Sequence, residues 1–72
     1  MITADELLIG AADVGLRVNN LFQVAVGSEE MWQANVRDAS GPKECFEFGR
    51  GTTPVAALIA AYRAAGVTVD EA

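Results

Sequence analysis

Phe22-Gln23-Val24-Ala25-Val26-Gly27-Ser28-Glu29-Glu30-Met31-Trp32-Gln33-Ala34-Asn35-Val36-Arg37 is the stretch that decides the fold. Two runs alternate in polarity across a turn. Phe22, Val24 and Val26 alternate with Gln23 and Ala25, and Trp32, Ala34 and Val36 alternate with Met31, Gln33, Asn35 and Arg37. A period of two marks a strand with one face on a core. Gly27-Ser28-Glu29-Glu30 supplies the turn between them. Downstream, Asp38-Ala39-Ser40-Gly41-Pro42 breaks the second strand. Phe46 and Phe48 then alternate with Cys45 and Glu47 in a third. Loops this short join neighbouring strands antiparallel, so the three form a meander.

Helices flank the strands. Thr3-Ala4-Asp5-Glu6 fits a capping box, with Ile2 and Leu7 placed for a hydrophobic staple. Asp5 and Glu6 complement the positive end of the helix dipole. Leu7, Ala11, Val14 and Val18 follow at helical spacing, although Gly10 and Gly15 weaken the helix and Val14, Leu16 and Val18 also alternate as a strand would. Asn19-Asn20 reads as a stop or turn. After Gly49-Arg50-Gly51-Thr52, Thr53 is the expected N-cap of the last helix and Pro54 its first residue. Val55, Leu58, Ile59, Tyr62 and Ala65 make one apolar stripe, and Gly66 is a natural end. Asp70-Glu71-Ala72 is expected to be a frayed acidic end. The chain thus reads as one α+β domain over residues 1–72, in the order α-β-β-β-α. Both helices cover one face of a three-stranded antiparallel meander. Phe22, Val24, Val26, Trp32, Phe46 and Phe48 are expected to face the helices. The opposite face would show Gln23, Ala25, Met31, Gln33, Asn35, Arg37, Cys45 and Glu47.

Composition narrows the function. Half of the 72 residues are apolar and 21% are charged, which describes a globular chain. A core of this size supplies about 3–5 kcal/mol of net stability. Cys45 is the only cysteine and there is no histidine, so no disulfide within the chain and no metal centre or other cofactor is expected. Good packing or association, a homodimer for instance, is the remaining source of stability. The net charge of −5 disfavours direct nucleic-acid binding and contact with anionic lipid. No apolar run is long enough to span a membrane. The first residues lack the basic region of a secretory signal, and the single thiol fits a reducing compartment. The expected location is the cytoplasm.

At this point the element order resembles the double-stranded-RNA-binding domain, whose fold is also a helix, three antiparallel strands and a helix. The likeness covers residues 22 to 65, through Phe22-Gln23-Val24, Trp32-Gln33-Ala34-Asn35-Val36, Phe46-Glu47-Phe48-Gly49-Arg50-Gly51 and the alanine-rich segment from Thr53 to Ala65. That family grips RNA phosphates with lysines at the start of its last helix. The matching positions here, Thr52 to Ala56, hold none, so the resemblance implies the fold and not the RNA site. Gly49-Arg50-Gly51-Thr52-Thr53-Pro54-Val55-Ala56-Ala57-Leu58 is also similar to the glycine-helix segment of the HicB antitoxin family, without room for that family's separate DNA-binding element.

The inventory of reactive groups is thin. Cys45 has no histidine to activate it. Glu29-Glu30 and Asp5-Glu6 suit a turn and a helix start better than a catalytic pair. Trp32 is expected in the core with Phe46, Phe48 and Tyr62. Arg50, with the Thr52 and Thr53 amides, is the candidate anion site. Taken together these features predict a non-enzymatic protein-binding module whose partner carries basic character. In general make-up, though in no motif, the chain is similar to phage and mobile-element accessory proteins such as anti-CRISPR inhibitors, which bind host nucleic-acid-handling proteins. The alternative is a nucleic-acid-binding or antitoxin-type module, which requires Arg17, Arg37, Lys43, Arg50 and Arg63 to gather on one face. The residues expected to meet a partner are Glu29, Glu30, Met31, Gln33, Asn35, Arg37, Glu47 and Arg50.

Overall fold

In a computed structural model, which describes residues 2–69, the order is α1 (Ala4–Gly10), a 3-10 turn (Ala11–Val14), β1 (Leu16–Val26), β2 (Glu29–Asp38), β3 (Glu47–Gly51) and α2 (Pro54–Ala64). The sheet is an antiparallel meander, β1-β2-β3. The acidic end at residues 70–72 lies outside the described residues.

Local chemistry explains where the helices begin and end. The Thr3 hydroxyl accepts from the Glu6 amide at 3.2 Å and donates to the Glu6 carboxylate at 3.2 Å, closing a capping box through the two side chains. Gly15 then takes a left-handed φ of 76° and stops the 3-10 turn, so the alternation of Val14, Leu16 and Val18 belongs to the start of a strand. At α2, the Thr53 hydroxyl accepts from the Ala56 amide at 3.1 Å and Pro54 opens the helix. Gly66, at φ 88°, ends it.

The core lies between the sheet and the helices. Ala34 and Val36 of β2 meet Ala57, Leu58, Ile59, Ala61 and Tyr62 of α2, with Leu7, Ala11 and Leu16 completing the cluster. α2 packs on β3 and β2, and α1 packs beside α2. The buried Tyr62 hydroxyl donates to the Leu7 carbonyl and ties the two helices together. Desolvation pushes the Tyr62 phenol above its ordinary pKa.

Two features of the sheet overturn expectations from the sequence. Asn19-Asn20 is no turn. It lies inside β1, where the register slips by one residue between Val18 and Asn20. Before this bulge Val18 sits opposite Val36, and after it Leu21 sits opposite Ala34. The extra residue inverts the phase of the strand, since successive side chains point to opposite faces. Phe22, Val24 and Val26 therefore line the face away from the helices, and Gln23 and Ala25 fall on the helix side.

The second feature is α2's close approach to β3. Gly49 and Gly51 pair with Ala34 and Trp32 and so face the helix. A Cβ on Gly49 would lie 2.1 Å from the Ala61 nitrogen, and one on Gly51 would lie 2.5 Å from the Ala56 Cβ. Only hydrogen fits at those two positions, and they set the phase of β3. Phe48 consequently points outward and is 50% exposed, and Phe46 is 45% exposed. The expected aromatic core of Trp32, Phe46, Phe48 and Tyr62 reduces to buried Tyr62 and half-buried Trp32.

Candidate functional site on the open face of the sheet

Among the described residues no helix covers the second face of the sheet, and the strand register gives it an ordered grid. Asn20, Asn35 and Phe48 form one row across the three strands, and Phe22, Gln33 and Arg50 form the next. Val24 and Met31 follow, then Val26 and Glu29 at the hairpin end. Arg17 and Arg37 form a row beyond Asn20 and Asn35. β3 reaches only as far as Trp32, which lies opposite Gln23, so residues 24–31 extend past it as a two-stranded ribbon.

A directional chain of side-chain hydrogen bonds crosses this face. The Arg50 Nε donates to Gln33 Oε1 at 2.8 Å. Gln33 Nε2 donates to Asn35 Oδ1 at 3.0 Å, and Asn35 Nδ2 donates to Asn20 Oδ1 at 2.8 Å. Asn35, at 9% exposure, is buried, and its amide oxygen and nitrogen each find a partner in this chain. Among the described residues, no buried side-chain nitrogen or oxygen lacks a partner. The chain holds the three amides in fixed orientations across the face.

Apolar groups flank the chain. Phe22 and Val26 are each 38% exposed, Phe48 is half exposed, and Val24 and Met31 are half-buried between them. The Arg50 guanidinium carbon stands 5.2 Å from the Phe48 ring centroid, a cation–π contact that holds both side chains over the face. Arg50 is thereby directed away from the α2 N-terminus, where it was expected to join the Thr52 and Thr53 amides. The sequence contained a signal for the outward aromatics. Glycines at alternate positions, 49 and 51, leading into an alanine-rich helix mark a strand face pressed against that helix, which sends Phe48 to the other side.

Of the residues expected to meet a partner, Met31, Gln33, Asn35, Arg37 and Arg50 share this face, and Glu29 stands at its end. Glu30 pairs with Ala25 and Glu47 with Val36, which places both on the helix side by register. Arg37 has a structural task. It donates to Asn19 Oδ1 at 2.9 Å and to the carbonyls of Asp38 at 3.3 Å and Gly41 at 2.9 Å, fastening the β2–β3 loop to β1. In that loop the Ser40 amide and hydroxyl donate to the Asp38 carboxylate at 2.9 and 2.8 Å, and these bonds hold its pKa below the ordinary carboxylate value. The Lys43 carbonyl accepts from Asn19 Nδ2 at 3.3 Å. Arg63 is on α2. Arg17, Arg37 and Arg50 thus gather on the open face and Arg63 does not.

Cys45 is an exposed free thiol beside a shallow groove of about 370 Å³ between the start of β3 and the end of α2. Among the described residues, no three cysteine or carboxylate side chains converge as metal ligands, and no helix is long and apolar enough to cross a membrane. The order of helices and strands is compatible with a double-stranded-RNA-binding-domain-like topology. No family model, curated protein or solved structure matches the chain.

Proposed function

We propose that the protein is a non-enzymatic binding module that holds a protein partner on the open face of its sheet. The observation that carries this reading is the exposure of Phe22, Phe48 and Val26, with Met31 and Val24 beside them, on a face that no helix among the described residues covers. Soluble chains rarely leave contiguous apolar surface bare except where something docks. The arrangement has the anatomy of an interface: aromatic and methionine side chains at the centre, an ordered amide chain through it, and charges at the margin. The finer form of the proposal gives the partner basic character. The net charge of −5 draws such a partner in, with Glu29 at the hairpin end of the apolar centre. An accessory inhibitor of phage or mobile-element type, similar to the anti-CRISPR proteins and directed at a host nucleic-acid-handling protein, fits that description.

The test compares wild type with Phe22→Ser and Phe48→Ser. A partner captured by the wild type should lose about tenfold or more in affinity with either variant, the scale of an interface hot spot. Equal affinity in folded variants would remove the open face from the proposal.

A second reading, a nucleic-acid-binding module on the double-stranded-RNA-binding or HicB pattern, is favoured by one observation. Arg17, Arg37 and Arg50 share the face with two exposed phenylalanines, the combination that stacks bases and pairs phosphates. Fluorescence anisotropy with single- and double-stranded oligonucleotides at low salt decides it. A salt-sensitive rise abolished by Arg17→Ala and Arg50→Ala supports this reading, and a flat titration ends it.

A further inference from the structure

The outer edge of β1 is the longest undefended backbone in the fold. Its 11 residues have β2 on one side and, among the described residues, no strand on the other. Natural edge strands are kept from pairing by short length, prolines, charges or bulges. β1 has no proline, and Arg17 is its sole charge. Its one bulge comes early, so Asn20–Val26 run on in unbroken register. In a chain of net charge −5, residues Val14 to Ser28 contain no carboxylate. Two copies that repel one another elsewhere meet least resistance there. α2 leans toward β3 and leaves Gln23 and Ala25 exposed on their own side.

The hairpin turn determines which main-chain groups are left over. Gly27, at φ 64°, and Ser28 form a two-residue turn of the type that has glycine at its first central position. In such a hairpin the closing pair, Val26 with Glu29, is hydrogen-bonded, and bonded pairs alternate along the ladder. Val24 and Phe22 therefore bond to β2, and the N–H and C=O groups of Leu21, Gln23 and Ala25 face the free edge.

We propose that two copies of the chain pair antiparallel along β1, about a twofold axis through Gln23, and join their sheets into one of six strands. Gln23 then lies opposite the partner's Gln23. Leu21 meets the partner's Ala25 on the helix side, large against small. Phe22 meets the partner's Val24 on the open face. The two apolar patches become one, continuous across the axis, and Arg17 of each copy runs toward the acidic hairpin end of the other. The unsatisfied edge groups of both chains are paired without burying a carboxylate.

The test uses Gln23→Cys in a Cys45→Ser background. Residues opposed in a bonded antiparallel pair have Cα atoms about 5.5 Å apart, inside the range that a disulfide spans. Under mild oxidation this variant should form a covalent dimer at least about tenfold faster than Glu47→Cys in the same background, whose thiol lies on the opposite edge strand. Sedimentation equilibrium of the wild type should give a mass near twice the 7.6 kDa of the chain. Gln23→Pro removes one outward N–H and leaves the β1–β2 ladder intact, and it should return the mass to the monomer value. Ala25→Lys, at an exposed position, should do the same and decides the matter if the proline variant fails to fold. Phe48→Ser should leave the dimer unchanged. A monomeric wild type at about 1 mM, a concentration at which even weak pairs associate, would overturn the proposal. So would equal cross-linking at positions 23 and 47, a dimer indifferent to Ala25→Lys, or one dispersed by Phe48→Ser.

Discussion

Gly49→Ala is the substitution that most directly tests how the fold is assembled. The added methyl would sit 2.1 Å from the Ala61 nitrogen, 2.5 Å from the Ala60 carbonyl carbon and 2.7 Å from the Ala60 Cβ. Ordinary contact begins at about 3.5 Å, so the shortfall against Ala61 is about 1.4 Å. The two nearest of these atoms are helix backbone, which no rotamer change can move aside. α2 must lift off β3, and that opens space over Ala34, Ala57 and Ala61, all fully buried. Overpacking costs typically about 1–3 kcal/mol, and a clash with backbone belongs at the upper end. A chain of this size has about 3–5 kcal/mol to lose. With a urea dependence of about 1 kcal/mol per molar, the unfolding midpoint should fall by about 3 M, followed by Trp32 fluorescence and far-UV circular dichroism. Gly10→Ala is the matched control. Its Cβ meets nothing within 4 Å and its φ is −78°, so it should be neutral or stabilising by up to about 1 kcal/mol. A Gly49→Ala midpoint within about 0.5 M of wild type, or an equal loss at Gly10, would refute the argument.

Tyr62→Phe removes the bond to the Leu7 carbonyl and should cost about 1–2 kcal/mol, with faster amide exchange in α1. Because burial raises the Tyr62 pKa, the protonated phenol contributes stability that is complete below its unfolded-state pKa and is lost as pH rises through the folded value. Alkaline unfolding should therefore shift to higher pH in Tyr62→Phe relative to its own neutral stability. The Asp38 pKa is lowered by Ser40, so its contribution is complete above the unfolded-state pKa and is lost as pH falls through the folded value. An NMR titration that placed Asp38 above ordinary aspartates would contradict the loop geometry. Thr53→Ala deletes the α2 cap and should cost about 1 kcal/mol, and Thr53→Ser should restore most of it. If Thr53→Ala matched wild type in a urea melt, the cap would be ornamental.

Much of the architecture is legible in the residues. Thr3 with Glu6, Thr53 with Pro54, and Gly66 mark helix ends by local chemistry, and all three operate as that chemistry dictates. The meander follows from the short loops and the alternation at 31–37. Which face each strand presents is harder to read, because it depends on contacts distant in sequence. The period-two pattern of Phe22, Val24 and Val26 is real, yet the sense of the pattern is set by a bulge that local polarity does not announce. Two adjacent asparagines serve a turn and a bulge equally well. At β3 the aromatic alternation competes with the glycines, and the glycines prevail because α2 leaves no volume for a Cβ. The candidate site was legible in part. Met31, Gln33, Asn35 and Arg37 belong to the open face as their alternation suggests, whereas Arg50 reaches it through the phase that Gly49 and Gly51 set. Phe22 and Phe48, its exposed aromatic members, were hidden by the general preference of large aromatics for interiors.

The slip at Asn19 has an evolutionary corollary. A substitution alters one side chain, whereas loss of a single in-frame codon there would rotate the allegiance of every residue from Asn20 to Val26. Leu21 would be thrown outward and the phenylalanine and two valines turned to the helix side, so that the apolar side of the hairpin would change faces in one mutational step. Length variation at this point, more than amino-acid replacement, would decide which side chains the hairpin presents on each face.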